Sequence, residues 1–328
     1  MNAHVDEPEV VEEAVSKIHE DGIWFSLSDE EYHADPALGS TGLKKLVDSA
    51  PDFWWGSSMN EYREEQNDDT PAKIFGRQLH QCVLEGVEKF KTHHSPTYFP
   101  GNRKEGIKEI AEIKAASKVP VKFKDYGRIL AASAFMKANS FLRNAFEGGQ
   151  PEVSVFWTVD GIRYKARFDY LKMNAISDLK SIRSKTDKPF KMLCMDAVGS
   201  YDYLVSAEHY SEGRRQMPRL IKQGAVFNAP ETDGFMSWLI QVAGNKNFAF
   251  VFVFWKAEGS PISKGFSLSP DNPCFEIARK RIERAVANYR KYMEEFGPDT
   301  AWVLDEPLEE IDPTDLPAFY HHRIAQGA

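Results

Sequence analysis

Three residues near the middle of the chain have the types and spacing that phosphodiester cleavage needs. Asp169 lies near the end of one alternating segment, and Asp178 and Lys180 lie on the next. Two carboxylates can hold one or two Mg²⁺ ions, which prefer oxygen ligands and keep several waters. Such an ion lowers the pKa of a bound water, and a lysine beside it could orient that water, help to deprotonate it, or stabilise developing charge. The pattern therefore predicts a candidate site for metal-assisted hydrolysis.

These residues must be positioned by neighbouring strands, and the sequence predicts a three-stranded antiparallel meander. Asp160-Gly161 is a strong signal for a two-residue hairpin, and Lys172-Met173-Asn174 can turn the chain again. With that turn, Asp169 falls opposite Asp178 to within one residue of register. Strict alternation places Asp169 on the same strand face as Arg163, Lys165 and Arg167. The meander comes from three short segments, residues 152–159, 162–171 and 175–181.

A structural alternative exists for the same residues. The tripeptide Glu112-Ile113-Lys114 also fits the (D/E)-x-K pattern, and we interpret it as a solvated helix face. Two strand residues of opposite charge could simply form a surface salt bridge, which contributes about 0–1 kcal/mol. The D-x-K spacing alone therefore does not decide between catalysis and a surface ion pair.

His80 lies in the middle of a predicted helix. That helix begins at Thr70-Pro71, a capping hydroxyl followed by proline, and ends at Gly86. Gly76, one turn before the histidine, costs about 1 kcal/mol of helix stability relative to alanine, which suggests close packing on this face. A neutral imidazole completing a metal site would explain it, and so would backbone crowding around a structural histidine.

The remaining patterns predict an α+β fold, with a mixed central sheet that contains the antiparallel meander and is flanked by helices. The apolar run 248–255 is typical of a strand buried on both faces. We expect an acidic, mobile N-terminal arm over residues 1–25, one domain over 26–305, and a C-terminal tail over 306–328 that wraps the surface. Further elements are predicted at 103–147, helical with a break near Pro120, and at helices 187–197, 200–228 and 272–295 and strand 263–269.

Composition excludes several classes of protein. No stretch of about 18 uncharged apolar residues exists, so no membrane span is expected, and the acidic N-terminus lacks the apolar region of a signal peptide, which favours the cytoplasm. The three cysteines form no C-x-x-C pair, which argues against a zinc ribbon or an iron–sulfur cluster. The formal net charge of −8 does not suggest a nucleic-acid partner, but basic residues cluster locally at 180–191, 214–222 and 279–291.

Several motifs occur together in the order found in one nuclease family. The chain resembles the RecE-like exonucleases, a phage and prophage branch of the PD-(D/E)xK superfamily related to RecB nuclease domains. The resemblance covers roughly residues 28–215 and is more specific than D-x-K alone. The matching segments are Tyr32-His33-Ala34-Asp35-Pro36, Ser40-Thr41-Gly42-Leu43-Lys44, Phe75-Gly76-Arg77-Gln78-Leu79-His80, Val83-Leu84-Glu85, Glu152, Ser154-Val155-Phe156-Trp157, Arg167-Phe168-Asp169 and Asp178-Leu179-Lys180.

The resemblance implies a role for each matching position. His80, Asp169 and Asp178 would be metal ligands and Lys180 the catalytic lysine. Glu152 would be a catalytic acidic group acting on the metal through water or from just outside its ligands, although an exposed strand-end charge is the alternative. One departure is Ser206, where the family's Q-x-x-x-Y motif has glutamine. Glu208 or His209 could compensate, but we expect solvated helix residues there. Substrate contacts are expected at Arg77, Arg167, Ser40, Lys44 and Tyr210.

The resemblance also implies an activity. We expect a Mg²⁺-dependent exonuclease, with Mn²⁺ as a substitute, that hydrolyses linear double-stranded DNA 5′ to 3′ in phage-type recombination. Expected partners are double-stranded DNA ends, a single-strand annealing protein and further copies in a ring, in the cytoplasm of a bacterial host. The alternatives are an endonuclease or repair nuclease with the same core, and a catalytically silent DNA-binding or phage protein.

Overall fold

A seven-stranded mixed sheet forms the centre of the protein, in the strand order β7-β1-β4-β5-β6-β8-β9. The computed structural model describes residues 18–63, 70–183 and 186–327. The strands in this part of the chain are β1 (Gly22–Trp24), β2 (His94–Thr97), β3 (Val119–Lys122), β4 (Gly149–Val159), β5 (Ile162–Lys172), β6 (Ala175–Ile182), β7 (Val226–Phe227), β8 (Ala249–Lys256) and β9 (Ser263–Leu268).

Helices cover both faces of this sheet, which confirms the predicted α+β class. They are α1 (Asp29–Ala34), α2 (Ser40–Asp48), α3 (Ala50–Trp55), α4 (Pro71–Leu84), α5 (Val87–His93), α6 (Lys104–Ala115), α7 (Phe123–Ala138), α8 (Phe190–Ser200), α9 (Tyr203–Lys222), α10 (Phe235–Gly244), α11 (Cys274–Phe296) and α12 (Ala318–Gly327). Within the described ranges, no helix is both long enough and apolar enough to cross a bilayer.

The predicted meander is confirmed as β4, β5 and β6. Asp160 and Gly161 both have left-handed backbone angles, φ 50° and 79°, which suit the tight primed turn of a hairpin. Strand β8 then pairs in parallel with β6, so that Asp178 lies beside Phe252. The sheet is therefore mixed, and β6 is an interior strand with β5 on one side and β8 on the other.

The core lies in layers on the two sides of the sheet. On one side, Phe250, Phe252 and Phe254 of β8 pack in a cluster with α8, α9 and α10. On the other, Val253 and Trp255 pack with α4 and α7. Strand β8 is thus buried on both faces, as its continuous apolar run predicts. A third cluster joins α2 and α3 to α11.

The prediction of helix over the whole segment 103–147 is wrong. Helices α6 and α7 are separated by β3, which pairs in parallel with β2 to form a second, two-stranded sheet. Proline at 120 disfavours helix for the preceding residue, and the flanking valines Val119 and Val121 favour extended backbone. The break near Pro120 is confirmed, but it contains a strand. Likewise, α9 ends at Lys222, and Val226–Phe227 is a strand.

The predicted N-terminal arm needs a correction at its C-terminal end. Strand β1 pairs antiparallel with β4, so residues 22–24 belong to the central sheet. His19 is also buried, and its backbone N–H donates to Asp35 Oδ2 at 2.7 Å. Residues 1–17 lie outside the described part of the chain. At the other end, the predicted tail contains an exposed 3-10 turn, Pro313–Asp315, and helix α12.

Candidate active site

The candidate site lies where β5 and β6 separate. The last paired positions of these strands are Tyr170 with Ser177, and the next position places Asp169 across from Asp178. The ladder does not continue there. Instead, Asp169 Oδ2 accepts a 2.7 Å hydrogen bond from the backbone N–H of Leu179. The predicted register is confirmed, and a carboxylate takes the place of the next backbone acceptor.

Strand alternation breaks beside Asp169. Phe168 and Leu171 pack in the same core cluster, whereas Tyr170 packs on the opposite face. On β4, Glu152 occupies the position opposite Asp169 and has a left-handed φ of 51°. Such a conformation costs about 1–2 kcal/mol for a residue with a Cβ and often occurs at functional sites. The strict alternation predicted for 162–171 therefore fails just after Asp169, at Tyr170.

Asp178 and Lys180 form a close pair at the same place. Lys180 Nζ donates a 2.8 Å hydrogen bond to Asp178 Oδ1. Asp178 is completely buried, and its Oδ2, although 2.8 Å from the same Nζ, has no partner with hydrogen-bond geometry in the described chain. Burial raises the pKa of Asp178 to about 6, against the opposing effect of Lys180. Burial also disfavours the Lys180 ammonium, but the carboxylates of Asp178 and Asp169 outweigh it and raise its pKa above the ordinary range.

Glu152 and His80 complete the group around Asp169. Glu152 is partly buried, and burial, followed by the nearby Asp169 carboxylate, raises its pKa to about 8. The alternative of an exposed strand-end charge is therefore not supported. His80 Nδ1 lies 3.9 Å from Asp169 Oδ2, with the histidine side chain 30% exposed. Burial lowers the pKa of His80, against the opposing effect of Asp169 and of a hydrogen bond to the Leu179 backbone.

The close packing predicted around Gly76 is absent from the described chain. A Cβ at this position would meet no atom within 4 Å, so nothing in the described chain crowds this side of α4. The predicted helix itself is confirmed: Thr70 Oγ1 accepts from the Lys73 backbone N–H at 3.4 Å, and Pro71 is its first residue. The position of His80 in the site rests on its distance to Asp169.

The donor set fits a hard divalent ion. Asp169, Asp178 and Glu152 offer carboxylate oxygens, His80 offers an imidazole nitrogen, and Asp178 Oδ2 is a buried acceptor without a hydrogen bond. In the described chain, however, no three histidine, cysteine, aspartate or glutamate side chains are close enough to hold an ion as they stand. The residues therefore fit a divalent ion by the types of ligand atom that they offer.

Three of the predicted substrate contacts lie beside this group. Tyr210 hydrogen bonds with the Ser40 side chain, and burial raises the pKa of Tyr210 to about 12, although Lys180 opposes the shift. Lys44 Nζ lies 5.3 Å from the ring centre of Tyr203. Lys180 Nζ lies at the same distance from the same ring, so the ammonium groups of Lys44 and Lys180 share one aromatic neighbour.

The other two predicted substrate contacts are placed differently. Arg167 is buried, and its guanidinium donates to Ser154 Oγ, Asp29 Oδ1 and the carbonyls of Leu27 and Ser28. These four hydrogen bonds direct the guanidinium at the protein itself, so Arg167 anchors the start of α1 and its contacts do not support the predicted role in binding substrate. Arg77 is exposed on α4, the helix that carries His80.

The expectation of solvated residues at 208 and 209 is also wrong. Glu208 is 4% exposed and binds Arg215 at 2.6 Å, and His209 is 3% exposed. His209 Nε2 lies 2.8 Å from the Lys165 carbonyl oxygen, away from the Asp178–Lys180 pair. Ser206, at the position of the family glutamine, is buried as well.

Sequence reasoning did not single out Tyr203 or Arg214. Tyr203 lies two helical turns before Tyr210, and this i, i+7 spacing of tyrosines on one helix is a signal that could have identified it. Arg214 is fully buried, and its guanidinium donates to the carbonyls of Lys172, Met173, Ala175 and Val242. It thereby holds the turn that sets the register of Asp169 against Asp178.

The sheet, its flanking helices and the acid–lysine group define a PD-(D/E)xK-like domain. Residues 41–229, more than half of the chain, match the family described as "PDDEXK-like domain of unknown function (DUF3799)", and the chain belongs to this family. No curated protein matches it significantly. Among solved structures it is similar to a protein of Eubacterium rectale named "Putative exonuclease", with a TM-score of 0.47, 16% identity, and coverage of 90% of this chain and 99% of that one.

Proposed function

We propose that the protein is a metal-dependent deoxyribonuclease of the RecE-like type, which shortens linear double-stranded DNA from its ends. The observation that carries this proposal is the meeting of Asp169, Asp178 and Lys180 where β5 and β6 separate. Membership of a PDDEXK-like family supports it, because Asp169, Asp178 and Lys180 lie within the matched residues 41–229.

In this proposal Asp169, Asp178 and His80 hold Mg²⁺, or Mn²⁺ in its place, and Glu152 supports them. When bound, the ion would supply an activated water and neutralise charge on the phosphate. Lys180 is a hydrogen-bond donor to Asp178. We therefore assign it the role of orienting the water and stabilising charge on the phosphate oxygens, and not that of a base. The water oxygen gives up a proton to solvent and bonds to phosphorus, the bond from phosphorus to the leaving sugar oxygen breaks, and that oxygen takes up a proton from solvent.

The finer features of the proposal come from the resemblance to RecE-like enzymes. They are resection in the 5′ to 3′ direction, a 3′ overhang handed to a single-strand annealing protein, assembly of several copies in a ring, and action in the cytoplasm of a bacterial host. Ser40, Lys44 and Tyr210 would contact the DNA near the reacting phosphate, since they lie on the same side of the sheet as Lys180.

A time course on linear duplex DNA labelled at either end, with Mg²⁺, tests the proposal. We expect early release of the 5′ label and no cleavage of a closed circular duplex of the same sequence. Lys180→Ala should be inactive, and Lys222→Ala, an exposed lysine on α9, is the matched control. Cleavage of the circle at the rate of the linear duplex would show an endonuclease. No cleavage with either Mg²⁺ or Mn²⁺ would favour a silent DNA-binding protein.

A further inference from the structure

The chain between α4 and β4 contains a segment of unusual charge, which we call the basic lobe, residues 87–128. It holds ten lysines and arginines against five aspartates and glutamates, a net charge of +5 in a chain of net charge −8. The rest of the molecule is therefore strongly acidic. The lobe, like the basic cluster 279–291, is therefore a part of the chain to which a polyanion is attracted.

The lobe presents two aromatic rings side by side. Strands β2 and β3 pair in parallel, with Thr97 beside Lys122 as the last pair. The next residues on the two strands are Tyr98 and Phe123, and their ring centres lie 5.1 Å apart. Tyr98 is 65% exposed and Phe123 is 58% exposed. The register of the two-stranded sheet thus places these two aromatic rings next to each other and exposed to solvent.

Backbone contacts hold this pair in place. The Glu109 carboxylate on α6 accepts hydrogen bonds from the backbone N–H groups of Tyr98, at 3.0 and 3.1 Å, and of Phe99, at 3.1 Å. Phe123 is the first residue of α7, and the exposed lysines Lys122 and Lys124 flank it. Large exposed rings on a fixed scaffold, rimmed by charge, are typical of an interaction surface.

The lobe is packed firmly against the candidate active site. Its residues Phe90 and Val121 belong to the same buried cluster as Leu79 and Leu179. Leu79 precedes His80, and Leu179 lies between Asp178 and Lys180. A DNA strand bound to the lobe would therefore lie on a part of the protein that shares its hydrophobic core with the candidate active site.

We propose that Tyr98 and Phe123, together with Lys122 and Lys124, bind single-stranded DNA. Unpaired bases can stack on exposed aromatic rings, whereas bases in a duplex are already stacked, and the lysines would neutralise the adjacent phosphates. The inference rests on the proposed function in one respect: an enzyme that resects one strand leaves the other unpaired beside its active site. The occupant is a single strand because the surface combines planar rings with positive charge.

Fluorescence anisotropy with a labelled oligothymidylate of about 15 nucleotides tests this, in EDTA so that no hydrolysis occurs. Tyr98→Ala/Phe123→Ala should weaken binding about tenfold, the effect of losing one stacked base. The matched control is Phe141→Ala/Phe319→Ala, which removes rings that are 95% and 63% exposed elsewhere. We expect no change in the control.

The lysines have their own readout. Replacing both Lys122 and Lys124 by Gln should reduce the slope of log affinity against log salt by about 1.4, since each phosphate contact to a single strand contributes about 0.7. Lys222→Gln/Lys246→Gln, which removes two exposed lysines outside the lobe, should leave the slope unchanged.

Three other outcomes of these experiments would overturn the proposal. An aromatic variant that binds the oligonucleotide like the control excludes stacking at these rings, and equal weakening on a blunt duplex shows a general phosphate surface. Loss of self-association in sedimentation, with unchanged oligonucleotide affinity, shows a protein contact instead. Failure of the nuclease proposal looks different: Tyr98 and Phe123 would still be needed for binding, but no DNA would be cut with Mg²⁺ or Mn²⁺.

Discussion

Lys180 Nζ donates a 2.8 Å hydrogen bond to Asp178 Oδ1, two positions earlier on the same strand. Asp178 is completely buried, and Lys180 is the cation that its carboxylate contacts. The other carboxylate oxygen, Oδ2, has no hydrogen bond in the described chain. The two residues thus form an ion pair, but only Asp178 has an acceptor atom left for a metal. Replacing one residue or the other should therefore have different consequences.

Removing either residue should stop cleavage, but only one loss should affect the metal. We expect Asp178→Ala and Lys180→Ala each to lower the rate on end-labelled linear duplex at least about 100-fold. Asp178→Ala should also weaken Mn²⁺ binding in calorimetry, whereas Lys180→Ala should retain it. Because breaking a buried pair destabilises a fold, Asp178→Asn and Lys180→Met serve as variants of similar shape. Cleavage at the parent rate by both alanine variants would refute the assignment.

The proposed ion should stabilise the fold. A ligand that binds only the folded state raises the free energy of unfolding by about 2.7 kcal/mol at 100 times its Kd. We expect Mg²⁺ to raise the melting temperature of the parent protein, and not that of Asp169→Asn/Asp178→Asn. The measurement is a thermal scan with and without Mg²⁺, which needs no DNA. An equal rise in both proteins would place the ion elsewhere.

His80 should matter more for activity than for stability. Its side chain is 30% exposed and lies 3.9 Å from Asp169, so His80→Ala removes little core packing. We expect a large fall in cleavage rate with a small change in melting temperature. His94→Ala is the control for a structural histidine, because His94 is 5% exposed and its Nδ1 contacts the Phe90 carbonyl at 3.2 Å. This variant should lower the melting temperature more than His80→Ala does. A large thermal loss at His80 with normal activity in the folded fraction would make it a structural histidine.

The meander and its register could be predicted because their signals are local. Asp160-Gly161 fixes one turn by backbone preference, and the short segment before β6 fixes the next, so that Asp169 and Asp178 can be aligned by counting. The break beside Asp169 could not be predicted in this way. It occurs opposite the left-handed backbone of Glu152 on β4, and strand alternation contains no sign of either feature.

The role of Arg167 could not be found from its neighbours in sequence. Beside two acidic positions it resembles a phosphate contact, but its partners in the Leu27–Asp29 segment lie 138–140 residues away along the chain. The small sheet of the basic lobe is similarly non-local, since His94 pairs with Val119. Packing decides which distant segments pair with each other. The residue periodicity within one segment contains no information about its distant partner.

His209 should give the fold a specific sensitivity to acid. It is 3% exposed, and burial lowers its pKa to about 4, with Lys44 adding to the shift and the Lys165 carbonyl and Glu212 opposing it. Because an unfolded histidine has a pKa of about 6.5, the unfolded chain binds a proton between these values and the folded chain does not. The stability linked to neutral His209 is therefore complete above pH 6.5 and is lost as the pH falls toward 4, by about 3 kcal/mol in all.

Urea unfolding at several pH values in this range tests the prediction. The free energy of unfolding should depend less on pH for His209→Gln than for the parent, whereas His93→Gln, at an exposed position, should behave like the parent. Parallel pH profiles for parent and His209→Gln would show that this imidazole titrates alike in both states.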